Sequence, residues 1–200
     1  MFSVVIPLFN KEQSIADTIN SVLNQSLQDF EIIIINDGSS DGSLDIVKKI
    51  ADSRIRVINQ SNQGVSAARN VGIINAKYDF IAFIDADDLW YPDKLKIFRN
   101  LILSNPGINW GFSSYDFYKD NLFIKSIDFP ISGCVINNIF TELSYGISIQ
   151  TSTVIVKKQI LIDNNIFFTE GINNSEDREV WYKLCCMDRS PLYCNISLSK

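Results

Sequence analysis

Four short apolar runs recur through the first part of the chain, and each is followed by a stretch with helical spacing. Val4-Val5-Ile6 precedes a helix expected over 11–24, where Ile15, Ile19, Val22 and Leu23 share one face and Asn10 is the candidate cap. A second buried strand, 30–35, opens into Asn36-Asp37-Gly38-Ser39-Ser40-Asp41-Gly42-Ser43, a turn-rich loop leading to a helix over 44–51. A third strand is expected over 54–59, then a helix over 64–76 with Val65, Ala68, Val71 and Gly72 at helical spacing. The fourth run, 80–84, has the composition of a strand buried on both faces, and a helix over 92–104 follows with Pro92 in its first turn. Strands and helices alternating in this way build a mostly parallel sheet with helices on both faces, so the fold class is α/β.

The second half breaks the alternation. Strands over 110–118 and 122–127 flank a polar turn, and a helix is expected over 134–143. A strand over 151–156 and an amphipathic helix over 176–187, with Val180, Trp181 and Leu184 inward, complete it. No Pro/Gly/Ser linker intervenes, so 1–200 reads as a single domain, with a smaller α+β extension over 106–200 added to the 1–105 half. The pattern stops in mid-course over 192–200, as expected of a C-terminally truncated piece of a longer protein.

Composition removes several function classes. Net charge is −5 with no long basic run, which argues against nucleic acid as a partner. No apolar run approaches the ~18–20 residues of a membrane span, and the Met-Phe-Ser-Val-Val-Ile-Pro start has no signal-peptide pattern. The chain has no histidine, which excludes Ser-His-Asp triads, Cys-His pairs and HExxH zinc sites. Cys134, Cys185, Cys186 and Cys194 lack CxxC spacing and read as core or half-buried thiols in a reducing, cytoplasmic setting. A metal site must therefore be built from oxygens, which selects a hard cation such as Mg2+ or Mn2+.

In open parallel sheets ligands bind beyond the carboxyl ends of the strands. Pro7-Leu8-Phe9-Asn10, Asn36-Asp37-Gly38 and 85–88 all lie at such ends and are expected to converge. Asp85, Asp87 and Asp88 crowd three carboxylates into four residues. They read either as ligands of a cation that also holds a diphosphate, or as an acidic helix start. Asp37 is a candidate acceptor for a base or sugar, or part of an ordinary β-α turn. Arg69, one turn into its helix, either reaches a diphosphate or lies on the surface. Ser175-Glu176-Asp177 reads either as an ordinary helix start with a Ser cap and acidic first turn, or as one that holds Asp177 rigidly enough to act as a general base. The aromatics Trp110, Phe112, Tyr115, Phe117 and Tyr118 form a core strand or an acceptor-side platform. Neither GxxxxGK[ST] nor GxGxxG is present, so ATP hydrolysis and dinucleotide binding lose specific support.

Five segments in this order resemble the family 2 glycosyltransferases of GT-A fold. Ser3-Val4-Val5-Ile6-Pro7-Leu8-Phe9-Asn10-Lys11-Glu12 is similar to the family's SVIIPxYNxE start, with Phe9 where Tyr is commoner. Stacking on a base survives that change and a hydroxyl contact does not. Asn36-Asp37-Gly38-Ser39-Ser40-Asp41 resembles its NDGSxD loop, and Gly64-Val65-Ser66-Ala67-Ala68-Arg69-Asn70 its GxxxARN helix. Asp85-Ala86-Asp87-Asp88, followed by Pro92, looks like its DxDD segment, and Glu176-Asp177 its ED pair. The resemblance implies that 1–105 binds nucleotide and 106–200 faces the acceptor. Pro7, Phe9, Glu12 and Asp37 would line the nucleotide pocket, with Arg69 and Asp85 near ribose and diphosphate. Asp87, with Asp88, would bind Mn2+ or Mg2+, and Asp177 would be the catalytic base. It implies an inverting hexosyltransferase that moves sugar from a nucleotide-diphosphate donor, UDP-linked by preference, to a saccharide or lipid-linked glycan in polysaccharide assembly. The setting implied is cytoplasmic, with peripheral association at the inner face of the plasma membrane. Two competitors remain: a non-catalytic nucleotide-sugar binding module, and another carboxylate-metal enzyme. A phosphohydrolase built on DxDx[TV] would want Thr or Val where Leu89 stands, and a nucleotidyltransferase would want glycines in the Pro7-Leu8-Phe9-Asn10 loop.

Overall fold

The computed structural model describes residues 1–120, 122–129, 135–136, 138–140, 148–172 and 176–200. In chain order the first half runs β1 (Phe2–Leu8), α1 (Ile15–Leu23), β2 (Phe30–Asp37), α2 (Ser43–Lys49), β3 (Ile55–Gln60), α3 (Val65–Asn75), β4 (Phe80–Phe83) and α4 (Lys94–Ser104). The second half adds β5 (Trp110–Lys119), β6 (Leu122–Ile127), a single 3-10 turn at Thr151–Thr153, β7 (Ile155–Lys157), α5 (Lys158–Asp163), α6 (Glu176–Met187) and β8 (Leu192–Ser197). One sheet takes up strands of both halves in the order β3-β2-β1-β4-β7-β5-β6, with β8 paired to β5. The first four neighbours are parallel, and β7 and β5 continue the sheet antiparallel.

Alternation along the strands explains the layers. Val5, Ile33, Ile35, Ile81 and Phe83 face one core with Ala68 of α3 and Val180 and Trp181 of α6. Val4, Ile6, Ile32, Ile34, Ala82 and Ile84 face the other, with Ile15 and Ile19 of α1 and Leu95 and Phe98 of α4. Successive side chains point to opposite faces, and both faces are apolar, so helices must cover both. Gly72 lets α3 lie close on the sheet: a Cβ there would stand 2.3 Å from Val5 Cγ1 and 3.1 Å from Ile35 Cδ1. No helix of the described residues is long and apolar enough to cross a membrane.

Three expectations need correction. The first helix starts at Ile15 rather than 11, with Ser14 at its N-cap position. Asn10 does not cap it; its backbone is left-handed, with φ 52, a conformation Asn tolerates better than most residues. The strand expected over 151–156 begins only at Ile155, because 151–153 close a 3-10 turn in which the Thr153 hydroxyl donates to the Gln150 carbonyl at 2.7 Å. Such local side-chain bonds compete with a sheet ladder. α5 was not anticipated. Half of the helix expected over 134–143, with Cys134, and the Ser175 cap lie outside the described residues; within the other half Val135 forms an antiparallel bridge to Leu192 and only 139–140 are helical. Cys185 and Cys194 are buried free thiols, but Cys186 is exposed.

α4 opens on a lysine with no access to solvent. Lys94 Nζ donates to the Thr153 carbonyl at 3.2 Å and to Ser199 Oγ at 3.1 Å, and lies 5.1 Å from the Trp90 ring centroid. Burial pushes its pKa down to about 7.

Two tests follow from this packing. Gly72→Ala should overpack the α3–β1 contact and cost about 1–3 kcal/mol, read as a lower urea midpoint at unchanged m. A wild-type midpoint would contradict the close approach. The folded chain binds the Lys94 proton less tightly than the unfolded chain, whose lysine titrates near its usual value. Stability should therefore rise with pH between about 7 and 8.5, by at most about 1.4 kcal/mol per unit. Lys94→Met should flatten that slope, and urea melts at the two pH values would show whether it does.

Candidate functional site

The loops after β1, β2 and β4 and the start of α3 enclose a cleft of about 370 Å³. Pro7, Phe9, Asp37, Arg69, Asp85 and Asp87 line it together with Lys11, Asn62 and Gly64. The convergence expected from the strand ends is therefore present. Phe9 keeps 45% of its surface exposed, so a ring face is available for stacking. Glu12 does not line the cleft. Its carboxylate accepts from the Gly42 N–H at 2.8 Å, while its own N–H donates to Asp41 at 3.1 Å. Asn10 braces the same loop, taking the Ser40 N–H at 2.8 Å and donating its backbone N–H to Ser39 Oγ at 3.2 Å. These residues hold the loop after β2 against the loop after β1.

Asp37 is buried at the end of β2, where its carboxylate accepts three hydrogen bonds. Gln60 Nε2 and the Gln63 N–H donate to Oδ1 at 2.7 and 2.9 Å, and the Gly64 N–H donates to Oδ2 at 2.8 Å. Gly64 has φ 91 at the N-cap position of α3, a left-handed conformation natural to glycine. Asp37 thus fixes the approach to α3, and of the roughly four acceptor positions of a carboxylate it keeps one for a ligand.

Arg69 is not a surface residue. It is 3% exposed, and its guanidinium spans two carboxylates. Nη2 donates to Asp85 at 2.7 Å and Nη1 donates to Glu176 at 2.9 Å. Burial opposes its charge, but the attraction of Asp85 and Glu176 outweighs this and holds its pKa above the ordinary value. The bridge brings the first turn of α6, more than a hundred residues along the chain, to the end of β4. Asp177 is the next residue on that turn; its Oδ2 accepts from the Thr151 hydroxyl at 3.1 Å. From the sequence Glu176 was named only as half of the ED pair, with no role of its own, and Thr151 was not singled out. A carboxylate next to the candidate base was the available signal for Glu176, and nothing distinguished Thr151.

The three crowded aspartates are relieved in three different ways. Asp85 has Arg69. Asp87 is half exposed and meets Lys11 Nζ at 2.5 Å. Asp88 is turned to Ser152, whose Oγ donates to it at 2.5 Å and accepts the Asp85 N–H at 3.0 Å. Burial, followed by the charge of Asp85, pushes the Asp88 carboxyl up to about 7. The loop itself is held by α1: Ser14 and Thr18 hydroxyls donate to the carbonyls of Ala86 and Asp88 at 2.8 and 2.9 Å.

Asp88 lines a second cleft of about 410 Å³, which meets the first at Asp87. Tyr115, Phe117, Tyr118 and Asp116 form its far wall. The aromatic stripe therefore divides: Trp110 and Phe112 are core, and the other three reach the cleft.

The residues suit a hard cation in one respect. Asp87 offers carboxylate oxygens to the first cleft and already attracts a positive group, the Lys11 ammonium. Among the described residues no cluster of three or more acidic, Cys or His side chains could hold a metal ion without other ligands. A cation at Asp87 would need oxygen ligands beyond these side chains.

Comparison with known proteins bears on the family and the fold. A family model described as glycosyl transferase family 2 matches residues 3–170. An uncharacterized glycosyltransferase of Rickettsia felis is 37% identical over 185 residues, which is 91% of this chain and 30% of the relative. The chain thus spans about 30% of that relative's length. Among solved structures, S. aureus TarS 1–349 in complex with UDP-GlcNAc superposes with TM-score 0.86 at 23% identity, covering 99% of this chain and 57% of that one. The Pyrobaculum calidifontis mannosyltransferase PcManGT, in complex with GDP-Man and Mn2+, superposes with TM-score 0.71 at 16% identity, covering 98% of this chain and 54% of that one. The fold is therefore the GT-A fold, a central mixed sheet flanked by helices.

Proposed function

We propose that this chain, which belongs to glycosyl transferase family 2, moves a sugar from a nucleotide-diphosphate donor to an acceptor hydroxyl with inversion at the anomeric carbon. In this reading 1–200 acts as one transferase domain, cytoplasmic and associated peripherally with the inner membrane face, with a saccharide or lipid-linked glycan as acceptor. The observation that carries it is the Arg69 bridge, which ties the Asp85 side of the nucleotide-sized cleft to the helix turn bearing Asp177. A donor site and a base are thus linked through one buried side chain.

The donor's base would stack on Phe9 beside Pro7, with Asp37 using its remaining acceptor position. UDP is the proposed nucleotide; the UDP-GlcNAc complex of TarS supports it. Mn2+ or Mg2+ held by Asp87, as the Mn2+ in the PcManGT complex suggests, would neutralise charge on the departing diphosphate. Asp88 would join as a ligand only after leaving Ser152 and losing its proton. Asp177 takes the acceptor's hydroxyl proton as that oxygen bonds to the anomeric carbon. The bond from that carbon to the diphosphate oxygen breaks on the opposite face, and its electron pair leaves with the nucleoside diphosphate. No covalent intermediate is required.

Asp177→Asn should keep UDP affinity within about twofold while transfer falls about 10²-fold or more, measured by calorimetry and by UDP release from UDP-sugars with Mn2+. Retained turnover would remove Asp177 as the base. Asp87→Ala should abolish the gain in UDP affinity that Mn2+ gives the unsubstituted chain. Equal gains in both proteins would place the metal elsewhere. Binding without any turnover would favour the non-catalytic binding module.

A further inference from the structure

Asn70, next to Arg69 on α3, lines neither cleft, yet its side chain makes a reciprocal pair with another part of the backbone. Its Nδ2 donates to the Phe168 carbonyl at 2.8 Å, and its Oδ1 accepts the Phe168 N–H at 2.9 Å. Both bonds are buried and span 98 residues of sequence. An amide side chain can satisfy one donor and one acceptor of a buried backbone at once, and here it does the work of a strand partner.

Phe168 is also held by its ring. It lies edge-on to Phe83 of β4 at 5.6 Å and to Trp181 of α6 at 5.7 Å, and the Arg69 guanidinium stands 5.1 Å from its centroid. Trp181 is in the same helix as Asp177, one turn further on, and packs on Phe83 at 6.1 Å. Two adjacent residues of α3 therefore grip α6 at two heights. Arg69 takes its first turn through Glu176, and Asn70 supports the Trp181 level through Phe168.

We propose that Asn70 is a positioning residue for proton removal from the acceptor: by fixing Phe168 it fixes α6, and through it Asp177, without touching the donor. This rests on the reading of Asp177 as the base. Loss of the amide leaves the Phe168 N–H and C=O unsatisfied in a buried place, and the chain there must shift to find other partners. A small displacement of a positioned base slows the chemical step more than it weakens binding of a donor held elsewhere.

The test is Asn70→Ala, with Phe168→Leu as a second variant that keeps both backbone bonds but removes the ring contacts. Each is measured for kcat, donor KM, UDP affinity with Mn2+, and amide exchange. Expected is a fall in kcat of about 10- to 100-fold, with KM and UDP affinity within about twofold of the unsubstituted chain. Exchange should quicken over 166–172 and 176–187 and stay unchanged in β1, β2 and α3. Wild-type kcat in a variant with quickened exchange would overturn the proposal. So would a parallel loss of UDP affinity, which a merely structural role would produce, and so would unchanged exchange in Asn70→Ala, whatever the activity. If the unsubstituted chain transfers no sugar, the transferase reading fails, and the exchange data still decide whether Asn70 holds α6. Should Asn70→Ala not fold, Phe168→Leu carries the same kinetic expectation.

Discussion

The Arg69 guanidinium sits inside the protein between Asp85 and Glu176, and the candidate site is assembled around that charge. A buried cation is costly unless it is paired and hydrogen-bonded, and Arg69 meets that condition with one carboxylate from each side. The fork of donors that lets arginine hold two carboxylates in a fixed relation is not available to lysine. Removal of either carboxylate would leave one arm of the buried guanidinium without its hydrogen-bond partner, so β4, α3 and α6 are bound to one arrangement. The same bridge gives Asp85 a share of one positive charge, yet beyond the effect of burial Asp85 still repels Asp88 strongly enough to raise its pKa.

The tight carboxylate segment stays folded because each aspartate faces a different environment. Asp85 is ion-paired, Asp87 meets a flexible exposed lysine, and Asp88 is withdrawn against Ser152 where it holds a proton more readily. Exposed ion pairs contribute little, so the Lys11 contact is the easiest of the three to exchange. That is the property needed at the one aspartate whose oxygens face the first cleft and are free of buried partners.

Much of the architecture was legible because the physics is local. Strands of β-branched and aromatic residues, apolar on both faces, demand helices on both sides, and β1, β2 and β4 with their following loops emerged close to their expected bounds. The convergence of the loops bearing Pro7, Phe9, Asp37, Asp85 and Asp87 follows from that topology, whereas Arg69 was placed beside them by the family resemblance. Misreadings arose where a side chain bonded backbone. Asn10 looked like a cap but uses its amide to hold Ser40, and the Thr-Ser-Thr stretch looked like strand but closes a turn. Glu12 resembled a pocket residue by sequence, yet its carboxylate is committed to Gly42. The roles of Glu176 and Asn70 were hidden for a different reason. Their partners lie 107 and 98 residues away, beyond anything periodicity or spacing can report.

That difference in range divides the site physically. The nucleotide side is held by bonds between loops that follow neighbouring parallel strands, and Asp37, Asn10 and Glu12 are occupied in bracing those loops before any ligand arrives. The helix bearing Asp177 is packed in the core through Val180, Trp181 and Leu184, and its polar ties, at Glu176, Phe168 and Thr151, are all of long sequence separation. Contacts of long sequence separation bear a larger loop-closure entropy, and segments held by few contacts open at lower free energy than core strands. In the proposed reading the contacts at Glu176, Phe168 and Thr151 orient Asp177 while the bonds around Asp37 shape the donor cleft, so changes at the long-range contacts should act on transfer before they act on donor binding.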